Sequence, residues 1–177
     1  MCGRYVLDDG SKIDIIKLLK LIENKIDTSN LSLNEIYPSN TTIILNEKFE
    51  PIISKWGYKK WDNKGILINA RSETLEKSVF FNSKKNKKCL IIASGFYEFK
   101  DSVPYYFFYD KPLFLAGIYN EYNEFVILTK NASNNIAKVH HRSPIIMDKE
   151  NALIYLSNYT YDDNITIDKK INMKLVH

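Results

Sequence analysis

The sequence predicts an α+β fold: a curved, largely antiparallel β-sheet or open barrel carrying a few peripheral helices. Three observations predict it. Between residues 89 and 130, segments rich in β-branched and aromatic side chains follow one another almost without interruption. The links between them, at 101–103, 110–111 and 120–123, are far shorter than the dozen or so residues of a parallel crossover, so neighbours pair antiparallel. Helical patterning is confined to a few short stretches outside this run. The 177 residues, 45% of them hydrophobic, suffice for a core. No repeat or linker divides them, so residues 1–177 read as one domain with a polar, weakly patterned tail from about 158.

The elements follow in order. In 8–26, Ile15, Leu18, Leu19, Ile22 and Ile26 fall on one stripe of an amphipathic helix, and Ser11 with Asp14 resembles a capping box. Residues 33–42, around Pro38, have loop chemistry. "TTIIL" and "EPIISKWGY" read as strands, and "ILINA" as a short strand entering a helix over 71–83. "KKNKK" is a solvated connection. The strands "CLIIAS", "FYEFK", "PYYFFYD", "PLFLAGIY" and "EFVILTK" come next. Then "NASNNIAKVHHRSP" turns through a short helix, and "DKENALIYLS" is a helix opened by Asp148.

Composition limits the function classes. Two cysteines, Cys2 and Cys89, cannot build a disulfide framework. No signal peptide or apolar run of membrane-spanning length is evident, so a cytoplasmic protein with no membrane partner is expected. The net charge of +4 permits an acidic partner without demanding one. Cys2, Cys89, His140 and His141 lack zinc-ligand spacing, and no metal or cofactor is expected.

"MCGRY" carries the most specific chemistry. Were Met1 removed, Cys2 would hold a thiol and a free α-amine on adjacent carbons, a 1,2-aminothiol that condenses with an aldehyde to a thiazolidine. Asn69 and Arg71 stand at a strand-to-helix junction, where Asn69 either caps the helix or enters a site. Glu98 lies among aromatics in a strand. It either faces solvent or occupies an apolar pocket that raises its pKa and suits it to general-acid work. His140 and His141 would point to opposite sides of an extended segment, so at most one enters a given site. Arg4, Arg71 and Arg142 each accompany a polar motif and could fork phosphates. Trp56 and Trp61 are core residues or stacking platforms for bases. The lysines at 84, 85, 87 and 88 are a solvated loop or phosphate contacts.

Taken in order, "MCGR", "WGYKKW", "NARSET", "CLIIASGFYEF", "FLAGIY", "ILTKNAS" and "HHRSP" resemble the SOS-response-associated peptidase (SRAP) family, whose members protect abasic sites in single-stranded DNA. The resemblance runs from Met1 to about Met147. It implies one domain with a positively charged groove and a thiazolidine crosslink between the N-terminal cysteine and the ring-opened sugar. It implies Cys2 as nucleophile, with Asn69, Glu98 and His140 as its catalytic partners. Arg4, Arg71 and Arg142 would lie near phosphates, and Pro38 and Trp61 in the groove. Phe99 departs from a usual tryptophan and Ser143 from a longer side chain. The partner implied is abasic single-stranded DNA, met by a monomer that gathers at the nucleoid on damage. Self-catalysed loss of Met1 fits the peptidase or lyase class. An N-terminal-nucleophile thiol peptidase and a non-catalytic single-strand-binding module remain as alternatives.

Overall fold

Two long strands organise the chain in the computed structural model, which describes residues 2–8, 10, 13–24, 27–84, 86–157 and 165–176. Before them come β1 (Arg4–Val6), α1 (Ile13–Glu23), β2 (Glu35–Ile36), β3 (Thr41–Leu45) and β4 (Pro51–Trp56). A small hairpin, β5 (Tyr58–Lys59) with β6 (Ile66–Leu67), precedes β7 (Asn69–Arg71), a 3-10 turn (Ser72–Lys77) and α2 (Val79–Asn82). The long strands are β8 (Lys87–Lys100) and β9 (Val103–Tyr119), followed by β10 (Glu124–Asn131). The chain then forms α3 (Asn134–Ala137), β11 (Arg142–Pro144), β12 (Ile146–Met147), α4 (Lys149–Ser157) and β13 (Asn172–Leu175).

β9, β10, β4, β3 and β8 pair in that order, and β8 pairs again with β9, so the five strands close on themselves. The α+β expectation holds, with closure in place of an open edge. The sheet is largely antiparallel, but β10 runs parallel to both β4 and β7. Inside lie Trp56, Phe96, Phe107, Phe125 and the aliphatic residues of β3, β8 and β10. The indole of Trp56 donates to the Ile68 carbonyl at 2.9 Å, so this tryptophan is core and not a platform. No helix among the described residues is long and apolar enough to cross a membrane.

Several elements differ from expectation. "CLIIAS" and "FYEFK" are one strand, and so are "PYYFFYD" and "PLFLAGIY". Asp110 and Lys111 are exposed on β9; their charge marks a solvated rim, not a turn. The real turn is Asp101-Ser102, with φ of 52° and 66°, the twist that two-residue hairpins favour. The segment 71–83 divides into a 3-10 turn and a single α-turn. α1 buries Ile15, Leu19 and Ile22 as the stripe predicts, whereas Ser11 of the capping box and Ile26 lie outside the described residues. Asp148 does open α4, accepting from Asn151 N at 3.1 Å. Part of the polar tail is ordered structure: residues 158–164 are outside the description, but β13 pairs with β9.

A bulge between Ala93 and Gly95 resets β8 against β9. A Cβ on Gly95 would lie 2.4 Å from the Tyr106 ring and 2.5 Å from the Phe107 carbonyl, so only glycine fits there. Beyond the bulge, Glu98 pairs with Tyr105 and is buried, while Phe99 and Lys100 emerge into solvent.

Candidate active site

β1 lies antiparallel on β8 with Arg4 opposite Tyr97. Continuing that register carries Gly3 alongside Glu98 and brings Cys2 to the end of the barrel. Cys2 is fully buried. Its carbonyl accepts from the Asn69 side-chain amide at 2.9 Å, and its thiol lies 3.9 Å from the Arg4 carbonyl. Asn69 reaches it because β7 runs parallel to β10, with Asn69 opposite Ile127. The helix-capping alternative for Asn69 therefore falls: the residue before the 3-10 turn is Arg71, with no side-chain cap. The Asn69 Oδ1 atom is buried and has no hydrogen-bond partner among the described residues.

Burial pushes the Cys2 thiol far up from its ordinary value, and the Glu98 charge adds to the effect. Burial also lifts the Glu98 carboxyl to about 7. The apolar-pocket alternative for Glu98 is thus the one realised: at 2% exposure it does not face solvent. A carboxyl that titrates near neutrality can both give and take a proton.

His140 follows α3, its backbone N–H donating to Ile136 O at 2.9 Å. Its Nδ1 lies 3.0 Å from the Arg142 N–H and 3.1 Å from the Arg142 carbonyl, accepting from the one or donating to the other according to tautomer. Burial holds its pKa below the ordinary value. The two histidines do not point apart. Their rings stack at 4.5 Å, because the segment is a helix exit and not an extended strand. Lys100, at the end of β8, donates to the Lys138 carbonyl at 3.1 Å. That bond ties the His140 segment to the strand bearing Glu98.

The three arginines take different places. Arg71 is exposed on β7. Arg4 pairs with Glu35 and lies over Tyr97, its guanidinium carbon 4.1 Å from the ring centroid. Tyr97 meets Tyr106 at 5.0 Å, and Lys174 lies over Tyr106 at 5.2 Å. These four residues are cross-strand partners on β1, β8, β9 and β13. Arg142 is buried, and its guanidinium is used by Glu73, at 2.5 and 3.0 Å, by Asn131 at 2.7 Å and by the Thr129 carbonyl at 2.8 Å. The phosphate contact expected of Arg142 does not fit this arrangement. Its backbone instead holds His140, while its side chain fastens β11 to β10 and the 3-10 turn.

Pro38 lies in a turn that Asn40 closes by accepting from Tyr37 N at 2.9 Å. Trp61 is 63% exposed at the tip of the β5–β6 hairpin, against Phe80. Of the lysines, Lys87 pairs with Glu47 and Lys88 is half-buried, donating to the Tyr155 carbonyl at 2.8 Å, so the connection is only partly solvated. Sequence reasoning missed Glu73 and Glu35. "NARSET" contains Glu73, but its partner lies 69 residues away. Among the described residues no cluster of His, Cys, Asp and Glu could hold a metal.

A barrel that buries a cysteine just before its first strand, with an amide on its carbonyl and a carboxyl lifted to about 7 close enough to raise the thiol's pKa, defines a thiol–carboxyl site. The chain belongs to the SRAP family: the family model described as SOS response associated peptidase matches residues 1–174. The chain is 28% identical over 174 residues to the abasic site processing protein YedK of Escherichia coli, covering 86% of this chain and 78% of that one. It is 29% identical over 181 residues to the abasic site processing protein YoqW of Bacillus subtilis, covering 89% and 80%. Among solved structures, a phage-related protein of Bordetella bronchiseptica aligns with a TM-score of 0.71 at 22% identity, over 99% of this chain and 94% of that one. A protein of Bacteroides thetaiotaomicron aligns with a TM-score of 0.73 at 17% identity, over 99% and 92%. These two share the fold.

Proposed function

We propose that this chain processes abasic sites in single-stranded DNA by a covalent route. With Met1 removed, Cys2 condenses with the sugar aldehyde to a thiazolidine crosslink. The observation that carries this reading is the Cys2–Asn69–Glu98 corner: a buried thiol, a terminus-gripping amide at 2.9 Å, and a carboxyl lifted to about 7. Membership of the SRAP family and the names of the YedK and YoqW relatives support the substrate.

The abasic sugar is mostly a closed hemiacetal. Protonated Glu98 donates to the ring oxygen and takes up the proton of the anomeric hydroxyl, which frees the aldehyde and restores the acid. The Cys2 amine adds to the carbonyl carbon, and the resulting carbinolamine loses one water to give an imine. Glu98 supplies the proton that the leaving hydroxyl needs. The imine is left protonated on nitrogen, so the thiol sulfur adds to its carbon while the thiol proton returns to Glu98. One C–N and one C–S bond form, one water leaves, and no oxidant or reductant is consumed. Because burial keeps the thiol protonated, ring closure needs a base at hand, and Glu98 is now the carboxylate. Asn69 holds the terminus, and its unpartnered Oδ1 accepts a hydrogen from the amine or the sugar. His140 orients a sugar hydroxyl or relays a proton. Both nucleophiles belong to one residue, so proximity supplies much of the rate. Arg71 and Arg4 hold the phosphates, Pro38 and Trp61 border the strand, and the protein acts as a monomer.

The test is a blocked terminus. Protein retaining Met1, or carrying an N-terminal tag, binds single strands but forms no adduct with an abasic oligonucleotide, as read by intact mass. A full adduct from blocked protein contradicts the mechanism. Turnover of peptides by the free terminus, without an abasic adduct, would establish the thiol-peptidase alternative instead.

A further inference from the structure

On the outside of the barrel, four side chains make a continuous strip of rings and charge. Trp61, 63% exposed, contacts Phe80 at 5.3 Å between centroids. The Lys84 ammonium lies 5.3 Å from the Phe80 centroid and 6.0 Å from that of Tyr122, itself 67% exposed. Three different segments meet here: the β5–β6 hairpin, the end of α2 and the β9–β10 turn. Exposed rings this large are costly to leave in water unless a partner covers them. Two features say which partner. Lys84 is seated between two rings, and Lys59, Lys60 and Lys64 of the hairpin outnumber its one acid, Asp62. Chain connectivity relates the strip to the active site. β6 leads through Ile68 directly into Asn69, and Tyr122 stands five residues before Ile127, the partner of Asn69, roughly 16 Å along the strand direction.

We propose that Trp61, Phe80, Lys84 and Tyr122 form a lesion-independent track for single-stranded nucleic acid, which carries the strand away from the Asn69 edge of the active site. Bases stack on Trp61 and Tyr122, and Lys84 meets a phosphate between them. Stacking on rings and contact with phosphate read no sequence. The inference rests on the single-strand substrate proposed above and extends it to Phe80, Lys84 and Tyr122.

The experiment uses intact oligonucleotides without abasic sites: one of about five nucleotides, filling only the lesion site, and one of about fifteen. Tyr122→Ala weakens the longer strand about tenfold and leaves the shorter unchanged; Tyr122→Phe restores binding. Lys84→Ala lowers the salt slope for the longer strand by about one. Equal losses on both lengths, or no loss on the longer strand, overturn the track. So does a self-association abolished by Tyr122→Ala with DNA affinity intact, which would make the strip a contact between copies of the chain. Crosslinking of a short abasic strand reports separately. If it persists while the track variants have no effect, the track alone fails. If it is absent while Tyr122→Ala still weakens long strands, the covalent reading fails and the track stands.

Discussion

Two buried carboxylates lie at different corners of this barrel, and the protein treats them in opposite ways. Asp168 is 4% exposed and is met by the Lys130 ammonium and by the Ser133 hydroxyl at 2.8 Å. Lys130 also donates to Thr166 at 3.3 Å. The pair latches the C-terminal segment onto β10 and the start of α3, and the Asn135 amide adds a bond to the Ile171 carbonyl at 3.1 Å. Glu98 is buried just as deeply, yet there desolvation dominates and lifts its carboxyl to about 7. The difference separates structure from chemistry. The buried carboxylate in the ion pair fixes geometry, whereas the carboxyl that burial lifts toward neutrality has a proton to give.

The comparison breaks most visibly in stability. Asp168→Asn leaves Lys130 facing an amide in a nearly dry corner and should cost about 3 kcal/mol, read as a lower denaturation midpoint. Glu98→Gln should move the other way. The folded carboxyl titrates near 7 and an unfolded one near 4.5, so the folded protein binds the extra proton between those values. Wild-type stability therefore falls as pH rises through that window and is flat above it. Glu98→Gln should gain on the order of 2 kcal/mol at pH 8 and little at pH 4. A loss at pH 8 would place Glu98 with Asp168 as a structural carboxylate.

The same Glu98→Gln variant should form adduct about 100-fold more slowly. The deficit should be greatest with the closed sugar and smaller with a simple open aldehyde, and adduct yield over time against each measures it. Arg71 and Glu35 sharpen a parallel contrast among the arginines. Arg71→Ala should weaken abasic and intact strands alike by roughly tenfold at low salt and reduce the salt slope. Glu35→Gln releases Arg4 from its ion pair and should raise strand affinity only about threefold, as read by anisotropy. Normal binding by Arg71→Ala at every salt concentration would make Arg71 a scaffold residue.

The contrast also marks what the sequence made legible. α1 was plain because its apolar stripe repeats at the helical period. The strands were plain as strands, but their joints were not. Charge at Asp110-Lys111 signals solvent, and a rim inside a long strand is as wet as a turn. Cys2, Asn69 and Glu98 could be named because each sits in a short motif with local chemistry, and the family's order of motifs joined them. What could not be read was pairing at a distance. Arg142 looks like a phosphate ligand until Glu73 is brought to it by the 3-10 turn, and the ion pair that Glu35 of β2 makes with Arg4 was equally hidden. The Asp168 latch lay in a tail whose polarity hides that Ile165, Ile167 and Ile171 are buried.

The central claim is that amine and thiol of Cys2 act in sequence on one aldehyde carbon, and Cys2→Ser separates them. The variant keeps the α-amine and replaces the sulfur with an alcohol too weakly nucleophilic to close a stable ring. The measurement is intact mass after mixing with an abasic single strand and denaturing, with and without borohydride. The account predicts a wild-type adduct that survives denaturation without reductant, lighter than its two components by one water. It predicts a Cys2→Ser adduct seen only after borohydride reduction. A wild-type adduct that dissolves on denaturation, or a Cys2→Ser adduct equally stable without reductant, would contradict it.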